Sequence, residues 1–298
     1  MHVRTRKLAL AEGVTAGVLF GTAAIFIRFV QNLDTFSIVL WRLIIASLTL
    51  TIVLVLLKKS FSFSFARKNI IGLLALSLFL GLHFIFFISA VKDTTILNAT
   101  VLVNTSPIFT MIVSILLLRH RPSRFSLAGL LISFAGTCLI AYAETITAKG
   151  NNFSPSLKGD LEAVLAALVE SFYLNYGKKI RSQMNILSIM LPIYLLTAII
   201  VGTLGVATTD KTLTIPSDAA IILPLLGLGI LPTAVAHTLY FSSLSNLKSF
   251  ETATLALLEP IGATILGIIF FKEIPAYLFI LGAALVLFGI LFVVKQKD

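Results

Sequence analysis

The chain has 298 residues, of which 58% are hydrophobic and 12% are charged, with a net charge of +10. Soluble domains are about half apolar and about a quarter charged, so this composition excludes an ordinary globular fold and predicts an integral membrane protein. The basic residues fall in short clusters between apolar runs, which is typical of membrane topology and argues against a nucleic-acid partner. The single cysteine, Cys138, excludes a disulfide framework and a cysteine-based metal site.

Ten apolar runs reach the length of about 20 residues that a membrane helix needs. The first contains Glu12 and Arg28 and is too long for a typical signal-peptide core, so we interpret it as a first helix. The longest polar break is Glu144 to Lys158, and it divides the helices into two blocks of five. The predicted helices cover approximately residues 9–30, 36–57, 69–91, 95–118, 125–143, 159–178, 186–205, 219–243, 250–271 and 275–294.

Lysine and arginine positions predict the orientation of these helices. With the N-terminus inside, sixteen Lys and Arg residues fall in inner segments and five in outer segments. Inner segments of multi-pass proteins carry the excess of basic residues, so we predict that both termini face the cytoplasm.

The two blocks resemble each other in sequence. SPIFTMIVSILLLRHRPSRFSLAGLLISFAG and EPIGATILGIIFFKEIPAYLFILGAALVLFG align at an offset of 153, which matches two prolines and two glycines in each copy. Upstream, at an offset of 154, His83 matches His237. Because each copy has five helices, the second enters the membrane from the opposite side. We therefore predict an all-α membrane protein built as a 5+5 inverted-topology repeat, the architecture of many secondary transporters.

The segment ILPTAVAHTLYFSSLSNLKSFETATLALLEPIGATILGIIFFKEIPAYLFILGAALVLFG resembles the second EamA domain of the drug/metabolite transporter superfamily. GTAAIFIRF and WRLIIAS resemble the first two helices of the family more loosely, and His120 stands where the family has a glutamate. The resemblance implies ten helices, both termini inside and transport of a small organic solute. With the polar break as the boundary, the two EamA repeats are predicted at 1–146 and 159–298, with an outer connecting loop at 147–158. The family carries amino acids, other metabolites, sugars and toxic compounds.

Ionisable residues inside a membrane suggest a functional site. Trp41 and Arg42, near the outer end of the second helix, predict either an interfacial anchor or an entrance for a carboxylate, and a pairing of Arg28 or Arg42 with Asp34 is the structural alternative. Glu170 lies near the middle of the sixth helix and shares a face with Tyr173. Glu170 is the best candidate for an amine contact or a protonation site, against a neutral glutamate that stabilises helix packing.

The matched histidines suggest a proton-coupled role, because histidine titrates near neutral pH. The alternative is two ordinary core histidines. Inversion is expected to place His83 and His237 on opposite sides of mid-depth, so we expect no metal site. Asn104 and Tyr240 add hydrogen-bonding and aromatic surface that suits an amino acid or another small amphipathic solute.

Glu259 and Pro260 interrupt the apolar ninth helix. The proline removes one backbone hydrogen bond and predicts a kink that the first copy shares at Pro107. Glu259 is expected about seven residues, or about 10 Å, from the cytoplasmic end of the helix. We predict that it pairs with Lys178, Lys179, Arg181 or Lys248 to close the cytoplasmic side when the site faces outward. The alternative is a glutamate that satisfies the groups freed by the kink.

These features favour a multi-pass transporter of the cytoplasmic membrane that moves small metabolites by alternating access, with amino acids or similar solutes first. Sugars, sugar phosphates and cationic drugs remain alternative substrates. A membrane enzyme is disfavoured because the spans contain no HExxH, GxSxG or paired aspartates, and a channel is disfavoured by the inverted repeat. We expect no cofactor. The expected partners are the small-molecule substrate, the lipid bilayer and, as a candidate coupling ion, the proton.

Overall fold

The computed structural model describes residues 4–58, 61–94, 96–119, 122–147, 156–181, 185–208, 213–271 and 277–295. This part of the chain is entirely helical apart from turns and loops. The long helices are α1 (Arg6–Phe29), α2 (Thr35–Leu56), α3 (Ile70–Asp93), α4 (96–118), α5 (Arg124–Thr147), α6 (Leu157–Ile180), α7 (Ile186–Thr208), α8 (Ala219–Ser243), α9 (249–271) and α10 (Tyr277–Val294). A short helix, Phe63–Lys68, lies in the break between α2 and α3.

Eight of the described helices are long and apolar enough to cross a membrane. The other two are α6, which contains six acidic or basic residues, and α9, which is interrupted by the 3₁₀ turn Ala256–Leu258. The chain is therefore an all-α membrane protein with eight to ten spans. Most of the predicted loop at 147–158 lies outside the described residues, and α5 extends into the predicted break as far as Thr147.

Side-chain caps determine where several helices begin. The carboxylate of Asp34 accepts a hydrogen bond from the backbone of Ser37 at the start of α2 (2.8 Å), and Asp218 does the same for Ala220 at the start of α8 (2.9 Å). Ser156 caps α6 in the same way. Because the first turn of a helix leaves backbone N–H groups without partners, these polar residues favour helix starts at the ends of apolar runs.

Pro107 and Pro260, which occupy matching positions in the two copies, both lie at breaks in their helices, as predicted. A turn at Asn104 and Thr105 precedes the α4 segment that contains Pro107. A 3₁₀ turn, Ala256–Leu258, precedes Glu259 and Pro260 in α9. Proline cannot donate to the preceding turn, so each helix changes its hydrogen-bonding pattern there. The corresponding position of the two breaks is consistent with a structural repeat.

Glycines bring α5 and α10 into backbone contact. A Cβ atom on Gly129 would lie 2.6 Å from the carbonyl oxygen of Gly289, and one on Gly136 would lie 2.7 Å from that of Gly282. These glycines therefore serve helix packing, since small residues let helices approach closely in lipid. The two helices run antiparallel at these contacts. The repeat alignment matches Gly129 with Gly282 and Gly136 with Gly289, so it converts each contact pair into the other. That is the relation expected when a two-fold axis joins two inverted copies.

The interior is formed mainly by α2, α3, α6, α7 and α8, whose buried apolar residues make a continuous core. Helix α1 packs against α9 through Gly17, Gly21 and Gly262, where added side chains would overlap the opposite backbone. Large apolar side chains such as Leu56 and Ile71 are exposed on the outer surface, as expected where lipid is the solvent. The close α1–α9 contact holds Glu259 against the centre of the molecule.

Candidate functional site

A central cavity lies where helices of both halves meet. Its volume, counted over the positions open to the centre of a water molecule, is about 40 Å³. One water needs about 10–15 Å³ by this measure, so a few waters fit. The space is too narrow in this conformation for a large solute. Its lining residues are Phe20, Ala23, Arg42, His83, Phe84, Phe87, Val103, Asn104, Ser106, Glu170, Pro232, His237, Ala256 and Glu259.

Arg42 forms the basic end of the cavity and is 1% exposed. Its Nε donates a hydrogen bond to the hydroxyl of Thr233 (3.0 Å), and its guanidinium carbon lies 3.8 Å from the centre of the Phe84 ring. A cation over an aromatic face is stabilised by the ring quadrupole. The alternative prediction, a pairing of Arg28 or Arg42 with Asp34, is wrong. Asp34 caps α2 and pairs with neither arginine among the described residues.

A π-helical segment of α8, Gly229–His237, builds this end of the site. Pro232 has no N–H group, so the carbonyl of Leu228 four residues earlier loses its usual partner. The hydroxyl of Thr233 donates to that carbonyl (2.6 Å) and also accepts from Arg42. Tyr194 donates to the carbonyl of Thr233 (2.8 Å). The proline therefore creates an irregular segment whose freed groups are satisfied by side chains, a common arrangement at functional sites.

The two matched histidines meet at the centre of the cavity. Their ring centroids are 6.2 Å apart, so the two rings share one site. Residues near the two-fold axis of an inverted repeat would lie close to their own symmetry mates, and the placement of these rings on opposite sides of mid-depth stays a prediction. Nδ1 of His83 lies 3.1 Å from the carbonyl oxygen of Ala166 and must carry the proton of a neutral ring, because a carbonyl can only accept. No cluster of three metal-binding side chains occurs in the described ranges.

Glu170 and Glu259 form the acidic end. The hydroxyl of Tyr240 donates to Glu170 (3.1 Å), which links α8 to α6 across the two sides of the cavity. Glu259 is close enough to Glu170 for their charges to interact. Its carboxylate has no hydrogen-bond or ion-pair partner in the part of the chain that the structure describes. Glu259 lies ten residues, about 15 Å, beyond the first residue of α9. The predicted distance from the end of the helix was about seven residues.

Aromatic rings connect the basic end to the acidic end. Phe84 contacts both Arg42 and His237, with a ring-centroid distance of 4.9 Å to the histidine. Phe20 lies against His237 and Tyr240 at 4.7 and 5.2 Å. The cavity is thus bipolar, with a cation at one end, carboxyl groups at the other and an apolar aromatic wall between them.

The remaining predicted site residues have other surroundings. Asn104 lines the cavity and donates to the carbonyl of Thr100 (2.9 Å). Pro260 is buried directly after Glu259. Tyr173 is buried against Met190 and Phe241, away from the cavity lining. Trp41 donates to the carbonyl of Thr214 (3.0 Å), in the connection between α7 and α8, and so faces away from the cavity.

Ion pairs and hydrogen bonds join the start of α1 to the adjacent ends of α8, α9 and α10. Arg6 binds both carboxylate oxygens of Glu251 (2.6 and 3.2 Å) and the carbonyl of Val294 (3.0 Å). Arg4 binds Glu12 and the hydroxyl of Ser242. Burial and the nearby Arg4 lower the pKa of Arg181, just beyond α6, to about 10, so it stays charged at neutral pH.

Lys178, one of the predicted partners of Glu259, instead donates to the carbonyls of Leu244 and Leu247 (2.7 and 2.8 Å). It holds the end of α6 to the same α8–α9 connection. In this conformation the end of the molecule where α1 begins is therefore held together by Arg4, Arg6, Lys178 and Glu251. The ion pair predicted for Glu259 is absent from the described residues, and the gate role of Glu259 and Pro260 stays a prediction for the outward-open conformation.

Three residues of these contacts were not predicted from the sequence, namely Thr233, Phe84 and Glu251. Two of them had a local signal. A threonine directly after a proline inside an apolar run can satisfy the carbonyl that the proline frees, and a glutamate three residues after Lys248 completes a capping box. The role of Phe84 depends on Arg42, which is distant in the sequence, so no local pattern indicates it.

Comparison with known proteins shows similarity over the whole chain. "Uncharacterized transporter YxxF" of Bacillus subtilis (strain 168) is 23% identical over 305 residues, which cover 99% of this chain and 92% of the relative. An uncharacterized transporter of Archaeoglobus fulgidus is 24% identical over 284 residues, 95% of this chain and 94% of that protein. A solved crystal structure shares the fold with a TM-score of 0.80 at 18% identity, over 97% of this chain and 96% of the other.

The same family model matches the chain twice, at residues 8–142 and 157–295. Each match covers five of the long helices described above, so the two halves are copies of one unit. No catalytic constellation competes with this assignment in the described cavity, and the family is one of transporters and not of enzymes. On the evidence of both matches, the chain belongs to the EamA-like transporter family of the drug/metabolite transporter superfamily.

Proposed function

We propose that this protein is a secondary transporter of the cytoplasmic membrane that moves amino acids or similar small amphipathic solutes by alternating access. In this proposal all ten long helices span the membrane as a 5+5 inverted repeat, with both termini in the cytoplasm. The central cavity is the substrate site, and each half contributes part of it. Two similar halves of opposite orientation have two near-equivalent packings, which open the cavity to one side or to the other.

The observation that carries the proposal is the bipolar cavity. Arg42 comes from the first half, Glu170 and Glu259 from the second, and the aromatic wall from both. A carboxylate at the basic end and an amine at the acidic end would both gain charge-assisted hydrogen bonds. The apolar part of such a solute would lie against Phe20 and Phe84. Few solutes other than amino acids and related zwitterions present these three features together.

An organic cation is the second candidate, because two acidic side chains share one end of the cavity. A cation needs the acidic end and the aromatic wall but gains nothing from Arg42. The two candidates therefore separate at this residue. Arg42→Gln should abolish uptake of an amino acid and leave uptake of a cation unchanged or increased.

Uptake into proteoliposomes tests the proposal. The purified protein is reconstituted and offered a panel of radiolabelled amino acids, sugars and organic cations, each with and without a pH gradient. We expect saturable uptake of at least one amino acid, and acceleration by an imposed gradient would identify the proton as the coupling ion. Uptake restricted to sugars or to permanent cations would contradict the proposed substrate class. Rapid, non-saturable flux of many solutes would indicate a channel.

A further inference from the structure

Two nitrogen atoms at the basic end of the cavity have no hydrogen-bond partner. Nη1 of Arg42 and Nδ1 of His237 are both buried, and the described part of the chain supplies neither with a partner. Arg42 is 1% exposed and His237 is 6% exposed. An unpaired buried donor is costly, particularly on a charged group. Such atoms persist where something outside the chain completes their hydrogen bonding.

The two nitrogens belong to side chains that face the same space. Both residues line the central cavity. Both also contact Phe84, with the guanidinium over its face and the imidazole at 4.9 Å in an edge-on arrangement. The described residues place no acidic side chain in an ion pair with Arg42. The chain therefore leaves one charge uncompensated at this end of the cavity.

The guanidinium is held in one orientation. Its Nε donates to the hydroxyl of Thr233, which is held in turn by its own hydrogen bond to the carbonyl of Leu228. Because Nε is hydrogen-bonded and one face of the guanidinium lies against Phe84, the direction in which Nη1 points is fixed by the surrounding helices. An arginine fork matches the geometry of a carboxylate. A neutral histidine with its proton on Nδ1 supplies one further donor.

We propose that Nη1 of Arg42 and Nδ1 of His237 form a subsite for the carboxylate group of the transported solute, and that Thr233 is the positioning residue of this subsite. The inference rests on the proposed function, since it names the atoms that recognise one end of the substrate. Thr233 does not contact the solute. It acts by fixing the direction of the Arg42 fork through the π-helical segment.

Propionate tests the subsite without knowledge of the transported compound. It is a carboxylate small enough for the cavity, and propionamide has the same shape without the charge. The melting temperature of the purified protein is measured at about 100 mM of each, with sodium chloride at equal ionic strength as the reference, since a ligand that binds the folded state stabilises it by mass action. We expect propionate, and not propionamide or chloride, to raise the melting temperature.

Substitutions then assign the effect to the named atoms. Arg42→Gln and His237→Phe should each weaken the apparent affinity for propionate about tenfold or more, the loss of roughly one hydrogen bond to a charged group. Thr233→Val keeps the side-chain shape and removes the hydroxyl, so it should weaken binding, and Thr233→Ser should restore it. Arg28→Gln, which removes an exposed cation at the end of α1, is the matched control and should change nothing.

Three results would overturn the proposal. They are an absence of stabilisation of the unaltered protein by propionate, an equal effect of propionamide, or full propionate binding by Arg42→Gln or by Thr233→Val. If Arg42→Gln does not fold, the Thr233 pair still decides the question. These outcomes are separate from the proposed function. A protein that takes up amino acids but does not bind propionate would refute the subsite and leave the proposed transport activity standing.

Discussion

The hydrogen bond between Tyr240 and Glu170 joins helices of the second half across the acidic end of the cavity. A glutamine at position 170 can accept the same hydrogen bond through its side-chain carbonyl but cannot exchange a proton. We therefore expect Glu170→Gln to insert and fold normally and to alter the rate of transport or its pH dependence. Uptake by reconstituted protein between acidic and alkaline pH measures this.

Glu162→Gln is the matched control, because Glu162 lies near the start of the same helix beside Lys158 and away from the cavity. It should retain the pH profile of the unaltered protein. If Glu170→Gln also keeps both the rate and the pH profile, Glu170 has only a packing role.

Glu259 has no partner in the described conformation, although it lies beside the break in α9. A gate that closes the cytoplasmic side by ion pairing requires the charge of Glu259 in the outward-open conformation. We expect Glu259→Gln to fold and to shift the population toward the inward-open form. A cysteine introduced at Ala256, in the cavity lining, should then react faster with a reagent added from the cytoplasmic side. Unchanged reactivity and unchanged transport would refute the gate.

At the scale of helices, the contact between α5 and α10 depends on the absence of side chains. A Cβ atom on Gly136 would lie 2.7 Å from backbone atoms of Gly282 and Val286. Gly136→Ala should therefore destabilise the protein by about 1–3 kcal/mol, the usual cost of overpacking. The same change at Gly202 of α7 would make only an ordinary contact of 3.6 Å with Leu40.

Gly202→Ala should stabilise the protein by up to about 1 kcal/mol, because alanine loses less backbone entropy than glycine in a helix. The two substitutions are thus predicted to have opposite signs, and melting temperatures in one detergent measure both. A Gly136→Ala protein as stable as the unaltered one would show that α5 and α10 do not pack as described.

Helix positions could be predicted because length and hydropathy determine which segments can lie in lipid. The breaks within helices were predictable only at the matched prolines. The π-helical segment of α8 depends on hydrogen bonds between Thr233, Arg42 and Tyr194, which come from three helices. The partner of Arg42 is 191 residues away in the sequence. No local pattern specifies such a contact, so the cavity residues could be nominated from the sequence but not arranged.

For the whole molecule, the proposed inverted repeat predicts which loops face each side of the membrane. Single cysteines at Asn151, Lys59 and Arg121, in a protein whose Cys138 is replaced by serine, test this with a membrane-impermeant reagent. We expect labelling at position 151 only from outside and at positions 59 and 121 only from inside. Labelling of all three from the same side would contradict the orientation of the two halves.

Alternating access of the central cavity is the claim on which the rest depends, and one cysteine tests it most directly. Ser106 lines the cavity, follows the break in α4 and is buried. Ser106→Cys, with Cys138 replaced, is exposed to the impermeant reagent in right-side-out vesicles and, separately, in inside-out vesicles. We expect labelling from each side, with transported substrate slowing both reactions. Labelling from only one side under every condition would contradict it.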